Sequence, residues 1–247
     1  MPGQKKIIEI SAYTAEWAIS AARAGAGRIE LCDNISEGGT TPSYGMMRQV
    51  ITKLKIPVLP LIRPRGGNFC YTDTEFESIR DDIQMAKNAG AHGIVTGILK
   101  PSGEIDIERN REIVDLARPM EVAFHRAFDI TPDPVKALED LISIGYDRVL
   151  TAGQVLNAEN GIGLIARLVQ LAGKRISIMP GGGINAFNIG LIARKTGTNE
   201  FHLSARKVNW EEAINYSGDI CFCTPGTRLF TIDVQKVRDV REQLEKL

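Results

Sequence analysis

Eight short apolar, β-branched runs recur along the chain, at 7–10, 28–31, 58–63, 93–96, 122–125, 148–151, 176–179 and 200–203. Between them lie segments whose apolar residues fall at three- and four-residue spacing, as in a helix packed on a sheet. These segments are 16–24, 45–54, 74–89, 106–117, 134–144, 161–171 and 186–195, with a last helix at 232–244. The runs recur at roughly 28 residues, the length of one strand, one helix and two loops. Gly25, Gly90, Gly145 and Gly197 each stand where a helix should end. Four residues later comes an apolar strand residue: Ile29, Ile94, Val149 and Phe201. A unit of two strands and two helices, repeated in this way, points to a closed ring. Eight βα units in 247 residues predict an α/β fold of the (β/α)8 TIM-barrel type. It reads as a single domain over 1–247, with an extended loop and terminal helix after strand eight, at about 205–247. An open doubly wound sheet would want a Gly-rich phosphate loop after strand one, where this chain has Ser11-Ala12-Tyr13-Thr14.

Thirty Lys and Arg offset thirty Asp and Glu, so no basic excess marks a nucleic-acid binder. No stretch of about 18 apolar residues suggests a membrane span. The first nine residues lack a signal-peptide pattern. Four Cys are too few for a disulfide scaffold, so the expected setting is the cytoplasm, with reduced thiols. Small molecules, metals or other subunits remain as partners. A homodimer is the commonest closed assembly, and no surface for one is marked in the sequence.

Strand side chains alternate between lumen and helix layer. In strand two, Ile29 and Leu31 suit the helix layer, which turns Glu30 and Cys32 inward. Strand eight aligns with it and turns His202 and Ser204 inward. Glu9 opposes Ile8 and Ile10 in strand one, and Arg63 and Arg65 share parity at the end of strand three. Strand five, read as far as Asp129, sets His125, Ala127 and Asp129 on one side. Charges in a packed lumen cost several kcal/mol each unless paired. This cluster exceeds what a core needs, and barrel sites lie at the end where strands finish. An ion pair of Arg63 with Glu30 that only fixes register would also explain two of its members. The candidate catalytic set is Glu9, Glu30, Arg63, His125, Asp129 and His202, with His125 and Glu30 as acid–base pair. His202 would be an electrophile or a second base.

Gly181, Gly182 and Gly183 precede a helix, where bare backbone N–H groups and the helix end favour an anion. A tight turn alone would also use them. Ser204 and Arg206 follow strand eight, and loops seven and eight form the usual phosphate site of such barrels. With Arg65 in the Gly-rich loop three, these residues make the candidate anion site. Loop three, from Arg65 to Asp73, also reads as a lid over the mouth. Cys32 is the one Cys expected in the mouth; Cys70 lies in loop three, and Cys221 and Cys223 lie beyond strand eight.

The runs RIELCDNISEGGTTPS (28–43), PLIRPRGGNFCYTD (60–73), FHRAFD (124–129), RVLTAGQ (148–154), MPGGGI (179–184) and EFHLSAR (200–206) together resemble the CutC family of copper homeostasis proteins. The resemblance spans 7 to about 206. It implies a TIM barrel, a cytosolic location and a role in copper handling, with Cu(I) held through cysteine, here Cys32. The residues read by themselves suggest an enzyme acting on a small phosphorylated or otherwise anionic substrate. A scaffold in which the polar cluster only holds the barrel together is the third reading.

Overall fold

The computed structural model describes residues 6–208 and 230–247. Strands and helices alternate from the start: β1 (Ile7–Ala12), α1 (Ala15–Ala24), β2 (Arg28–Leu31), α2 (Tyr44–Lys53), β3 (Val58–Pro60), α3 (Asp73–Asn88), β4 (Gly93–Thr96) and α4 (Ile107–Ala117). The second half repeats the order with β5 (Glu121–Phe124), α5 (Pro134–Ile144), β6 (Arg148–Thr151), α6 (Ile162–Ala172), β7 (Ser177–Pro180), α7 (Ile189–Thr196) and β8 (Glu200–Leu203). Local chemistry sets the helix ends. Thr14, Ser43, Asp106 and Asp133 accept a backbone N–H at the helix starts, and Thr72 with Glu75 forms a capping box. Gly25, Gly145 and Gly197 close their helices in the left-handed conformation that glycine adopts without strain.

All ladders among the eight strands are parallel. They form two half-sheets, in the orders β3-β2-β1-β8 and β4-β5-β6-β7. The half-sheets meet at both seams through single parallel bridges, Leu61 with Val95 and Gly181 with His202. The ring order is therefore the chain order, as in a TIM barrel. Two apolar clusters follow from strand parity. Ile10, Ile29, Leu31, Phe124 and Phe201 pack with the helices, while Cys32, Leu59, Leu61, Val95 and Ala123 fill the lumen. The alternation read from sequence holds for strands one, two and eight.

Three expectations change. β3 ends at Pro60, so Arg65 does not continue the inward row set by Arg63. β5 ends at Phe124, and a 3-10 turn, Arg126–Ile130, follows with His125 as its cap. Asp129 is carried away from the strand by that turn. The segment after β8 is not only a loop: β9 (Arg206–Val208) and β10 (Phe230–Ile232) pair antiparallel before α8 (Val234–Glu245). Cys221 and Cys223 lie outside the described residues. Among the described residues, no helix is long and apolar enough to cross a membrane.

Candidate active site at the barrel mouth

Register assembles the central cluster. Glu9 lies level with Arg28 on β2 and with His202 on β8. Its carboxylate pairs with the Arg28 guanidinium and, through Oε1, with His202 Nδ1 at 2.8 Å. The other ring nitrogen, Nε2, lies 3.7 Å from Glu30 Oε2. Below this chain, Arg28 also reaches Glu200 and the Met179 sulfur, and Arg148 Nε meets Glu200 at 2.6 Å. A row of alternating charge thus runs from Arg148 near the strand starts to Glu30 at the mouth. Arg28, Arg148 and Glu200 were not singled out from the sequence. The signal was there, because Arg28 and Glu200 share the inward parity of Glu30 and His202.

The electrostatics separate the two glutamates. Burial alone would raise Glu9, but Arg28 and His202 overcome it and hold the carboxylate well below its ordinary range. Burial raises Glu30, and Glu9 adds to the rise against the opposing pull of His202. Burial would lower His202, yet Glu30 and the hydrogen bond to Glu9 raise it. Glu9 is thus held as an anion against His202, while Glu30 and His202 are both shifted upward, 3.7 Å apart.

A cavity of ≈150 Å³ opens over this pair, lined by Ser11, Tyr13, Glu30, Arg63, His125 and His202, among others. Loop three covers it. The Phe69 ring lies 4.7 Å from the His125 ring, and the Arg63 guanidinium sits 5.1 Å over its centroid. Arg63 is locked by three carbonyls: Nη1 donates to Glu37 and Gly39, and Nη2 to Gly67. His125 is pushed down to about 3, first by burial and then by Arg63. A larger recess of ≈590 Å³ opens where β7 and β8 begin. Among its described lining residues, the one carboxylate, Glu200, is already taken by Arg28, Arg148 and Ser177.

The remaining expected residues scatter. Asp129 accepts from Thr151, Ala152 and Gln154 and pairs with Arg126 at 2.7 Å, so it braces loop six. Arg65 pairs with Glu75 at 2.5 Å and lies over Tyr71, holding loop three on α3. Ser204 is exposed, and Arg206 stacks on Phe230 at 4.9 Å. Gly181 donates to Thr151 and faces Leu150 and His202. Gly182 and Gly183 hold φ of 101° and 71° and, among the described residues, donate to no backbone carbonyl. α7 starts only at Ile189, so its end is separate from the glycines. Arg126, which sequence reasoning passed over, lines the cavity beside Gly182.

Cys32 is buried in the lumen, its thiol pushed well above the ordinary value by burial and then by Glu30. Among the described residues, no three His, Cys, Asp or Glu side chains converge to hold a metal.

A parallel eight-stranded ring with a cluster of buried charged side chains toward the strand ends defines the class: a TIM-barrel protein with a polar cluster at the C-terminal mouth. The CutC family pattern matches residues 6–207, and the chain belongs to that family. It is 48% identical over 206 residues to a family protein CutC of Parabacteroides distasonis, covering 83% of this chain and 84% of the relative. It is 48% identical over 200 residues to the human copper homeostasis protein cutC homolog, covering 81% and 73%. The crystal structure of a CutC protein of Streptococcus agalactiae superposes with a TM-score of 0.77 at 36% identity, covering 81% of this chain and 98% of that one.

Proposed function

We propose that the barrel mouth performs acid–base chemistry on a small anionic molecule. The observation that carries this reading is the Glu9–His202–Glu30 row, with Glu30 and His202 lining one cavity. A structural ion pair would need only the lower part, where Arg28 already satisfies Glu9. Glu30 instead faces the cavity with a raised carboxyl, beside an imidazole held by Glu9, which is the arrangement of a proton-transfer pair. Arg126, paired through Nε with Asp129, turns its Nη1 edge to the rim beside Gly182. The test is titration with inorganic phosphate, followed by calorimetry. Saturable binding that weakens about tenfold in Arg126→Gln supports the reading; no saturable binding of phosphate sinks it.

Copper enters through the names of the relatives, and the donor set described here does not build a resident centre for it. Cu(I) favours soft ligands. Among the described residues, the mouth offers one sulfur, Cys32, held as a thiol, beside the hard carboxylate of Glu30 and the His202 imidazole. Copper handling through Cys32 is therefore the second reading, favoured by the position of that sulfur inside the mouth. Cu(I) titration of the reduced protein decides it: binding near micromolar that vanishes in Cys32→Ser supports it, and binding indifferent to that change removes it. Both readings fit a cytoplasmic setting, where Cys32 and Cys70 stay reduced, and a homodimer, which sedimentation would show.

A further inference from the structure

His125 and Arg63 each present a buried donor with no partner. Both residues are 6% exposed. His125 Nδ1 accepts the Ala127 N–H at 3.3 Å, which leaves the proton of the neutral ring on Nε2. Nε2 is buried and unpartnered. The Arg63 Nη atoms are spent on three carbonyls, while Nε is likewise buried and unpartnered. Both side chains line the ≈150 Å³ cavity, and both pack on Phe69. Leaving a buried donor unsatisfied costs about 1–3 kcal/mol. The Tyr71 hydroxyl, also buried, lies within hydrogen-bond reach of the Arg63 guanidinium, so it is His125 Nε2 that marks the place of an acceptor the folded chain does not itself supply.

Resting on the acid–base reading above, we propose that the substrate is a small α-hydroxycarbonyl compound and that His125 Nε2–H, beside the Arg63 guanidinium, donates to its oxyanion. The neutral His125 Nε2–H and the guanidinium are donors only, so they suit an oxygen that gains negative charge. Glu30 and His202 line the same cavity, placed to move a proton at the carbon next to that carbonyl. The step balances without an oxidant or a metal. The C–H bond breaks, the proton goes to the Glu30 carboxylate, and the electron pair ends on the carbonyl oxygen as an enolate. The hydroxyl proton of the neighbouring carbon then passes through His202 to the first oxygen, and return of the Glu30 proton to the former carbonyl carbon leaves the new carbonyl on its neighbour, completing an isomerisation. Arg126 and the Gly182–Gly183 backbone then take an anionic tail at the rim. The cavity holds the volume of about five waters, which limits the reacting end to a few heavy atoms. His125 kept neutral by burial and by Arg63 serves as a donor and not as a base, reversing the role the sequence suggested.

The experiment uses oxalate, a planar dianion shaped like an enediolate, with calorimetry on the full chain. His125→Phe keeps a ring against Phe69 and removes the donor. Oxalate affinity should fall at least tenfold in that variant, and phosphate binding at Arg126 should be spared. Nitrogen-15 spectra of labelled histidine in the unaltered protein give a second measurement, independent of whether the variant folds. His125 should stay neutral and protonated on Nε2 from pH 5 to 8, and its Nε2–H resonance should shift with oxalate. Equal oxalate affinity in both proteins, or a His125 that titrates near 6.5, overturns the oxyanion hole and leaves the acid–base reading standing. If neither phosphate nor oxalate binds, both fall together.

Discussion

His125 shows how a residue's surroundings choose its chemistry. In an unfolded chain it would titrate near 6.5, whereas in the barrel it lies at about 3. Between those values the unfolded chain carries a proton that the native state refuses, so stability is intact above about pH 6.5 and falls as pH drops toward 3. Urea unfolding at pH 7 and 4.5 should differ by about 2–3 kcal/mol less in His125→Phe than in the unaltered protein. An unchanged pH dependence would mean that the ring is charged in the native state. His202 works in the opposite sense. Its raised value adds stability that is full below the unfolded pKa and is lost as pH rises through the folded one. The two histidines were equivalent as inward-facing letters in the sequence. Burial beside a guanidinium for one, and between two carboxylates for the other, sets them apart.

At the scale of elements, the hydrophobic period placed all eight strands and the helices to within a few residues, because each needs a buried face. Strand ends were less legible. β5 was read through to Asp129, but the His125 side chain takes the Ala127 N–H and starts a 3-10 turn, which moves Asp129 into loop six and brings Arg126 to the cavity. Loop six shows a second contact that no periodicity announces. Gly153 and Gly161 touch backbone to backbone, and a Cβ on Gly161 would meet the Ala152 carbonyl at 1.9 Å. Gly161→Ala should cost about 1–3 kcal/mol or more, since backbone must move. Gly163→Ala, two residues on and inside α6, meets nothing within 4 Å and should gain about 0.5–1 kcal/mol. Chemical denaturation of the two variants should give shifts of opposite sign; equal shifts would show that the loop gives way.

The whole molecule is two half-sheets joined at seams of one bridge each. Side chains at the strand starts reinforce one seam. Glu200, on β8 of the first half-sheet, accepts from Arg148 on β6 and Ser177 on β7 of the second, and also from Arg28. Arg28 and Arg148 are buried, and without Glu200 each keeps one carboxylate, Glu9 and Glu121 respectively. Glu200→Gln should lower unfolding free energy by about 1–3 kcal/mol. Combined with Arg148→Met, the loss should be smaller than the sum of the single changes. Additive losses in denaturant would show that the two do not act as a unit.

Alternation of short apolar runs with amphipathic segments, repeated eight times, pointed to the barrel over an open doubly wound sheet, because a closed ring accommodates eight parallel strands under helices and the Gly-rich loop an open sheet would want after strand one is missing. Strand parity likewise turned Glu9, Glu30 and His202 inward, whereas Arg63 and His125 lie past the ends of β3 and β5 and reach the cavity from the loops. Which carboxyl is a fixed anion, which imidazole is neutral, and which arginine faces the cavity were decided only by tertiary structure. Those properties depend on distance to the nearest opposite charge and on exclusion of water, and both are set by residues far apart in the chain.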